Sequence, residues 1–406
     1  MRRITMIVCA ALLGCSGGAV AAQELTPMEA LGKSIFFDHT LSNNGNMACA
    51  ACHAPESGWT GPLSGINAAG AVYEGSVAGR FGNRKPPTAA YATLSPILHY
   101  EMEHKEALFE GGNFWNGRAT GEKLGNPAAD QAQGPFLNPL EHALSEPADV
   151  VTGVCSGAYA DHFEEVWGAG ACLQDVDTNY DRIALAIAAY EASHEVNAFT
   201  SKYDYYLKGM AELTKEERKG LNLFKGKGKC SRCHILDGED GQPPLLTDFT
   251  YDNLGVPRNP ENPFYTQDAA FNPLGYEWVD LGLGEFLESR GEYEAFAAEN
   301  YGKQKVPTLR NVDKRPDGAF VKAYTHNGYF KTLKGIVHFY NTRDAKPVCE
   351  DPMTTEAEAM AQGCWPEPEV AANVNTKELG NLHLTEAQED AIVAFLKTLS
   401  DGYEPE

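Results

Sequence analysis

The chain has 406 residues, 43% of them hydrophobic, which is enough for two globular domains with buried cores. Its formal net charge of -23 argues against nucleic acid as a partner. An acidic surface could steer a basic protein towards the chain, although solubility alone would equally account for the charge.

The N-terminus has the composition of an export signal. Two arginines precede an apolar stretch over residues 4–14, and the small residues that follow suit cleavage after Ala22. We therefore predict a signal peptide over 1–22 and a soluble periplasmic protein. A Leu-Leu-Gly-Cys segment ending at Cys15 also resembles a lipoprotein cleavage box, which would anchor the chain instead. No later stretch reaches the ~20 apolar residues of a membrane-spanning helix.

After this leader the chain contains two copies of one pattern. Thr26 opens a capping box with proline at the first helical position, and we predict a helix to about Phe37. A second capping box opens at Thr214, and the Gly-x-x-x-Phe spacing of residues 32–36 recurs in residues 220–224. The repeat predicts two similar halves.

Each half continues into a Cys-x-x-Cys-His segment. The two cysteines can form thioethers with haem vinyl groups, and the adjacent histidine then reaches the iron, so this spacing is typical of c-type haem attachment. We predict two covalently bound haem c groups, one in an N-terminal domain over 23–205 and one in a C-terminal domain over 206–406. The attachment residues are Cys49, Cys52 and His53 in the first half and Cys230, Cys233 and His234 in the second.

Four further cysteines lie outside the leader and the haem segments. They allow three disulfide pairings, and local pairing of Cys155 with Cys172 and of Cys349 with Cys364 is favoured because each pair lies in a short segment resembling an insertion. Disulfides agree with an oxidising compartment.

The remaining elements predict a mostly α fold built from two cytochrome-c-like domains with long loops. The terminal helix has an apolar face and a capping box, as expected of a helix packed across a haem-binding helix. Residues 180–194, 332–340 and 385–399 read as helices, 199–209 as a crossover, and 235–305 and 345–379 as loops.

The second axial ligand of each iron decides the function. A haem with protein ligands on both faces transfers electrons, whereas one with an open face can bind peroxide. For the second haem, Met353 and Met360 are the nearest downstream methionines, but both lie in acidic sequence with little helical pattern.

Four segments carry a resemblance to a known family, namely 31–38, 114–119, 306–311 and 324–328. Together they resemble the bacterial di-haem cytochrome c peroxidase and MauG family, over nearly the whole mature chain. The resemblance implies the di-haem peroxidase fold.

The resemblance implies that the distal ligand of the second haem lies fourteen residues beyond His326, which itself would lie near the haem interface. That position is Tyr340, as in MauG, where ordinary peroxidases of the family have methionine. A phenolate is a hard anionic ligand that favours ferric and higher iron states. Alternatively Tyr340 is an aromatic core residue beside Phe339. The rival ligand His338 would face elsewhere on the helix.

For the first haem, no histidine occurs between His53 and His99, although ordinary family peroxidases carry a distal histidine in that loop. The resemblance therefore implies an iron with a vacant face. It further implies Glu141 as the acid/base for peroxide cleavage, Gln131 as a positioning amide and Pro135 as a residue that shapes the pocket. Taken alone, Gln131 and Glu141 would be interpreted as solvated loop residues. The stretch between Arg118 and Gln131 is longer than in the family pattern.

Two further features concern the region between the haems. Trp115 matches a tryptophan that relays electrons between the irons, although an isolated tryptophan would be read as a packing residue. The family binds calcium there through an asparagine and backbone carbonyls. Lys85 stands at the asparagine position, with the carbonyls of Val321 and Ala323 as remaining donors, and an ammonium could replace the cation.

The predicted function is that of a periplasmic di-haem peroxidase that uses hydrogen peroxide to form high-valent haem iron. Its reductant would be a partner-protein aromatic side chain, as for MauG, or a small redox protein such as cytochrome c or a cupredoxin. A non-enzymatic electron carrier with both irons six-coordinate is the alternative from another class.

Overall fold

The computed structural model describes residues 24–104, 106–238 and 241–405. The predicted signal peptide, Ala22 and Cys15 lie outside these residues. Within them the secondary structure is mostly helical, as predicted. The α-helices are α1 Pro27–Phe36, α2 Ser64–Ala68, α3 Pro127–Leu137, α4 Pro147–Ser156, α5 Ala160–Trp167, α6 Val176–Ala192, α7 Lys202–Leu207, α8 Lys215–Lys225, α9 Leu283–Glu288, α10 Leu333–Thr342, α11 Glu356–Gln362 and α12 Glu386–Lys397.

Strands and single-turn helices make up the rest of the regular structure. Two antiparallel two-stranded sheets are present, one from β1 His99–Glu103 and β2 Glu106–Glu110, the other from β3 Tyr251–Asp252 and β4 Gln304–Lys305. The 3₁₀ turns are Cys49–Ala51, Pro55–Ser57, Ala92–Leu94, Ala171–Leu173, Cys230–Arg232, Pro263–Thr266, Gly275–Glu277, Glu294–Phe296 and Ala298–Asn300.

The repeated pattern in the sequence corresponds to a repeated helix crossing. Helix α1 packs across α6, and α8 packs across α12. At each crossing a glycine lies against a carbonyl of the partner helix, where an added Cβ would stand 1.8 Å from the oxygen. Because only glycine permits this approach, Gly32 and Gly220 determine how closely their helix pairs pack.

Each crossing lies within its own hydrophobic cluster. The first cluster includes Phe36, Tyr91 and Tyr190, and the second includes Phe224, Phe339 and Phe395.

Both predicted disulfides are confirmed, since Cys155 is bonded to Cys172 and Cys349 to Cys364.

A buried ion pair joins the two parts of the chain. Arg310 donates from both terminal nitrogens to Asp204, at 3.0 and 2.8 Å, and its guanidinium lies over the Tyr91 ring. The guanidinium and Ser201 hold the pKa of Asp204 below its usual value despite burial. Paired in this way, the two charges tolerate burial.

The two predicted loop segments and the predicted crossover contain regular structure. The 345–379 segment includes α11, which Thr355 and Glu358 start through a reciprocal capping box. The crossover over 199–209 includes α7, and the 235–305 segment includes α9 and two short strands. These elements are too short for hydrophobic periodicity to reveal them. Among the described residues, none of the helices combines the length and the apolar character needed to cross a membrane.

Candidate functional site

Two large cavities lie one beside each Cys-x-x-Cys-His segment. The first has an empty volume of about 1720 Å³ and the second about 1430 Å³, in both cases including space open to solvent. The first cavity brings together most of the residues predicted for the first haem. They are Cys49, Cys52, His53, Trp115, Gln131, Pro135 and Glu141.

The histidine of the first cavity is oriented by its backbone surroundings. His53 Nδ1 lies 3.2 Å from the carbonyl oxygen of Trp59, so the ring donates at Nδ1 and Nε2 remains free as a ligand atom. Burial lowers the pKa of His53 to about 4, which keeps the imidazole neutral. Cys49 and Cys52 are not in disulfides, and burial raises the pKa of both thiols.

The predicted acid/base for peroxide cleavage, Glu141, lies on the wall of the same cavity. Helix α3 carries Gln131 and Pro135, and the turn after it carries Glu141. Glu141 accepts a 2.6 Å hydrogen bond from Asn138 Nδ2. Burial raises the pKa of Glu141, while the nearby Arg118 and the Asn138 bond act in the opposite direction. A buried carboxyl with a raised pKa is suited to act as an acid/base group.

Sequence reasoning did not assign several other residues of this wall. Arg84, at the place expected for a distal histidine, forms a two-point ion pair with Asp280, both contacts being 2.6 Å. His142 lines the cavity with Nδ1 2.7 Å from the carbonyl oxygen of Leu41. Glu191 of α6 also lines it. Only long-range packing places these residues here.

The second cavity also contains a Cys-x-x-Cys-His segment, but different residues line the rest of it. His234 Nδ1 lies 2.8 Å from the carbonyl oxygen of Leu246, which again leaves Nε2 free. Burial raises the pKa of the Tyr340 phenol, and the Tyr340 hydroxyl makes no hydrogen bond with another described residue. The predicted residues that line this cavity are Cys230, Cys233, His234, His326 and Tyr340.

The rival ligands lie elsewhere. His338 Nδ1 is 2.9 Å from Glu389 Oε1, and its ring packs near Trp365. Neither His338 nor Met353 nor Met360 is among the described residues lining the second cavity.

Trp115 lies between the two cavities and lines both. Its indole Nε1 donates to the carbonyl oxygen of Lys85 at 2.7 Å, and its ring centroid lies 6.5 Å from that of His326. His326 Nε2 is 3.8 Å from Glu369 and 3.9 Å from Asp280. Segment 305–308 also lines both cavities.

The position associated with calcium holds a buried ammonium. Lys85 Nζ donates to Thr60 Oγ1 at 3.0 Å and to the carbonyl oxygen of Pro86 at 2.9 Å. Burial lowers the pKa of Lys85 to about 7. The carbonyl of Val321 accepts a hydrogen bond from Asn67, so it already has a protein partner.

The residues of both cavities fit haem c. Each cavity offers two thiols outside disulfides beside a histidine whose second ring nitrogen is free, and each is large and mainly apolar. This donor set is that of covalently attached haem with an axial imidazole.

Comparisons with known proteins agree with this chemistry. A family model described as "Di-haem cytochrome c peroxidase" matches residues 26–212. The methylamine utilization protein MauG of Paracoccus denitrificans is 35% identical over 401 residues, covering 98% of this chain and 95% of MauG. The cytochrome c551 peroxidase of Pseudomonas aeruginosa is 31% identical over 309 residues, covering 76% of this chain and 69% of that protein.

A solved structure shows the same fold. The diheme peroxidase BthA from Burkholderia thailandensis superimposes with a TM-score of 0.75 at 29% identity, covering 93% of this chain and 87% of BthA. The family implies two haem c groups, in agreement with the two cavities. The chain therefore belongs to the di-haem cytochrome c peroxidase family, has the fold of these enzymes and is a peroxidase.

Proposed function

We propose that the chain is a periplasmic MauG-like peroxidase, in which hydrogen peroxide reacts in the first cavity and the oxidising equivalents are passed on to an electron donor. The observation that carries this proposal is the unequal composition of the two cavities. The wall of the first cavity brings Glu141, Gln131 and Arg118 together with His53, whereas the wall of the second brings Tyr340 together with His234.

The bound haem would supply the iron that accepts peroxide oxygen and stores oxidising equivalents. In the first cavity His53 would hold the haem iron through its free Nε2. Glu141 would take a proton from the bound peroxide and return it to the leaving oxygen. Gln131 would orient the peroxide through its amide, and Pro135 would limit the space beside it.

The roles proposed for the second cavity concern electrons. His234 and Tyr340 would both hold the second iron, which would leave no site on it for peroxide. Trp115, which lines both cavities, would relay electrons between them, with His326 beside its ring. Asp280 and Glu369, near His326, would stabilise positive charge that develops there.

The electron donor is proposed to be an aromatic side chain of a partner protein, as for MauG. The tyrosine at position 340 supports this choice because a phenolate favours higher iron oxidation states. A small redox protein is the second candidate, favoured by relatives named cytochrome c551 peroxidase. We also propose that 23–205 and 206–406 are the two haem domains, and that each haem is joined to its domain by thioether bonds. Residues 1–22 are proposed to direct export.

The absorption and EPR spectra of the ferric protein test this function. We expect two haems per chain, one high-spin and one low-spin, because only the first iron would keep an open face. A purely low-spin spectrum would instead favour an electron carrier, with His142 as one candidate for a sixth ligand. Rapid turnover of peroxide with a reduced cytochrome c or cupredoxin would favour the second donor candidate.

Calcium removal provides a separate prediction. We propose that the Lys85 ammonium takes the place of calcium between the haems, since it is buried and already bonded to Thr60 and the Pro86 carbonyl. Treatment with a calcium chelator should therefore leave the spectra and the peroxide reaction rate unchanged. A chelator effect reversed by added calcium would contradict this assignment, and Lys85→Asn is the variant expected to acquire such a dependence.

A further inference from the structure

The two helix crossings allow the halves to be compared residue by residue. In both, the crossing glycine faces a backbone carbonyl and the Cβ of an aromatic residue one turn later. The phenylalanine after each glycine makes an edge-on contact with that aromatic ring, at 5.6 Å in the first half and 5.2 Å in the second. The equivalent residues are Gly32 and Gly220, Phe36 and Phe224, Ala186 and Ala391, Tyr190 and Phe395.

This register makes Glu191 of α6 equivalent to Leu396 of α12. Each helix contributes two positions to the wall of its cavity. At one of them both halves have isoleucine, Ile187 and Ile392, and at the other they differ. At this position the first cavity therefore has a carboxyl, whereas the second cavity has the apolar side chain of a leucine.

The Glu191 carboxyl is buried without a partner. The residue is 5% exposed and forms no hydrogen bond or ion pair with another described residue. It lies in the last turn of α6, where the helix dipole disfavours negative charge, and that turn contains no basic residue. An unpaired buried carboxyl is costly, and burial raises the pKa of Glu191 to about 8.

Among the described helices that pack against α6, namely α1, α3 and α4, none places an unpaired basic side chain beside Glu191. Lys33 of α1 is paired with Glu195, at 2.6 Å. Asp130 of α3 accepts hydrogen bonds from the backbone N–H groups of residues 123 and 124. The groups near enough to interact electrostatically with Glu191 are the Cys49 sulfur, which thioether formation would make non-titrating, and the Tyr190 hydroxyl. Glu141 acts on Cys49 from the cavity wall and adds like charge.

We propose that Glu191 is the charge-compensating group of the first haem: its carboxylate binds one proton from solvent when the iron gains one electron, and releases it when the iron loses one. The electron comes from the donor of the peroxidase cycle and returns to oxidant in the same cycle. This inference rests on the proposed function, which assigns a haem to this cavity. Leu396, at the equivalent position in the second cavity, cannot titrate.

The physical reason is the low dielectric constant of a mainly apolar cavity. In such a cavity a change in the charge of the iron costs much free energy unless another group compensates for it. An ionised Glu191 would stabilise the oxidised iron, and a neutral one would accommodate the reduced iron. The reduction potential of the first haem should then fall as pH rises, because reduction becomes coupled to proton uptake.

The test measures the reduction potential of each haem in the holoenzyme from about pH 6 to about pH 9, a range that spans the pKa of Glu191. The variants are Glu191→Gln, which keeps the shape, and Glu191→Leu, which introduces the residue of the second half. Glu195→Gln is the matched control, since it removes a more exposed carboxyl just beyond the same helix.

In the wild-type protein and in Glu195→Gln we expect the first-haem potential to fall with pH. In both Glu191 variants this fall should become shallower, with a remainder from Glu141 and Lys85, which line the same cavity and whose pKa values burial also shifts. The potentials of the variants should match wild type at low pH and exceed it increasingly at high pH. The infrared difference between reduced and oxidised protein should show a protonated-carboxyl band that Glu191→Gln abolishes. The second haem should be unaffected.

Two outcomes would overturn the proposal while leaving the proposed function intact, provided that two haems are bound. One is an unchanged pH dependence in Glu191→Gln. The other is a constant offset of the potential at every pH, which would indicate a structural role. A protein that binds one haem per chain would instead refute the proposed function, and this inference with it.

Discussion

Replacing Glu141 by glutamine should slow the reaction with hydrogen peroxide by roughly 10²- to 10⁴-fold, the usual contribution of a positioned acid/base. Glutamine keeps the size of the side chain and a carbonyl oxygen that can accept the 2.6 Å hydrogen bond from Asn138, so the cavity should remain intact. Stopped-flow mixing of ferric enzyme with peroxide measures the rate.

The pH dependence of the same rate provides an independent check. Since the carboxylate is the form that accepts the proton, the rate should rise with pH through the pKa of Glu141, which burial raises above its ordinary value. The Glu141→Gln variant should lose this rise. Glu165→Gln, which changes an exposed carboxyl on α5 in the same half, is the matched control and should react like wild type. A wild-type rate in Glu141→Gln would remove Glu141 from the proposed mechanism.

Replacing Tyr340 by phenylalanine should alter the optical and EPR spectra of the second haem and leave those of the first unchanged. Loss of the phenol removes the proposed anionic ligand and opens that iron face. The oxidised form produced by peroxide without reductant should also decay faster, by about tenfold or more, equivalent to ~1.4 kcal/mol of lost stabilisation.

Two variants make the Tyr340 experiment specific. His338→Gln tests the rival ligand and should leave both haem spectra unchanged, because His338 contacts Glu389 and lies outside the cavity wall. Tyr329→Phe removes another buried hydroxyl of the same cluster, one that donates to the Thr354 carbonyl. If Tyr340→Phe left the signatures of both irons unchanged, the ligand assignment would be wrong and the proposed division of roles would fail.

The features that the sequence alone determined are local ones. Haem attachment depends on two cysteines and a histidine within five residues, so residues 49–53 and 230–234 carry the chemistry without reference to the rest of the chain. The capping boxes at Thr26 and Thr214 and the two short-range disulfides are local for the same reason. Tyr340 and Glu141 could be singled out only through a family resemblance.

The tertiary structure decided which distant residues share a cavity wall. Arg84 pairs with Asp280 across almost half of the chain, the Trp115 indole donates to the carbonyl of Lys85, and His142 lines the first cavity. None of these contacts follows from spacing. Glu191 in particular reads as an ordinary polar residue near a helix end. Its burial depends on the close packing of α1 against α6, which the absence of a side chain at Gly32 permits beside the Ala186 carbonyl. Long-range packing of this kind leaves no periodic signal in the sequence, because the contacting residues belong to elements separated by many others.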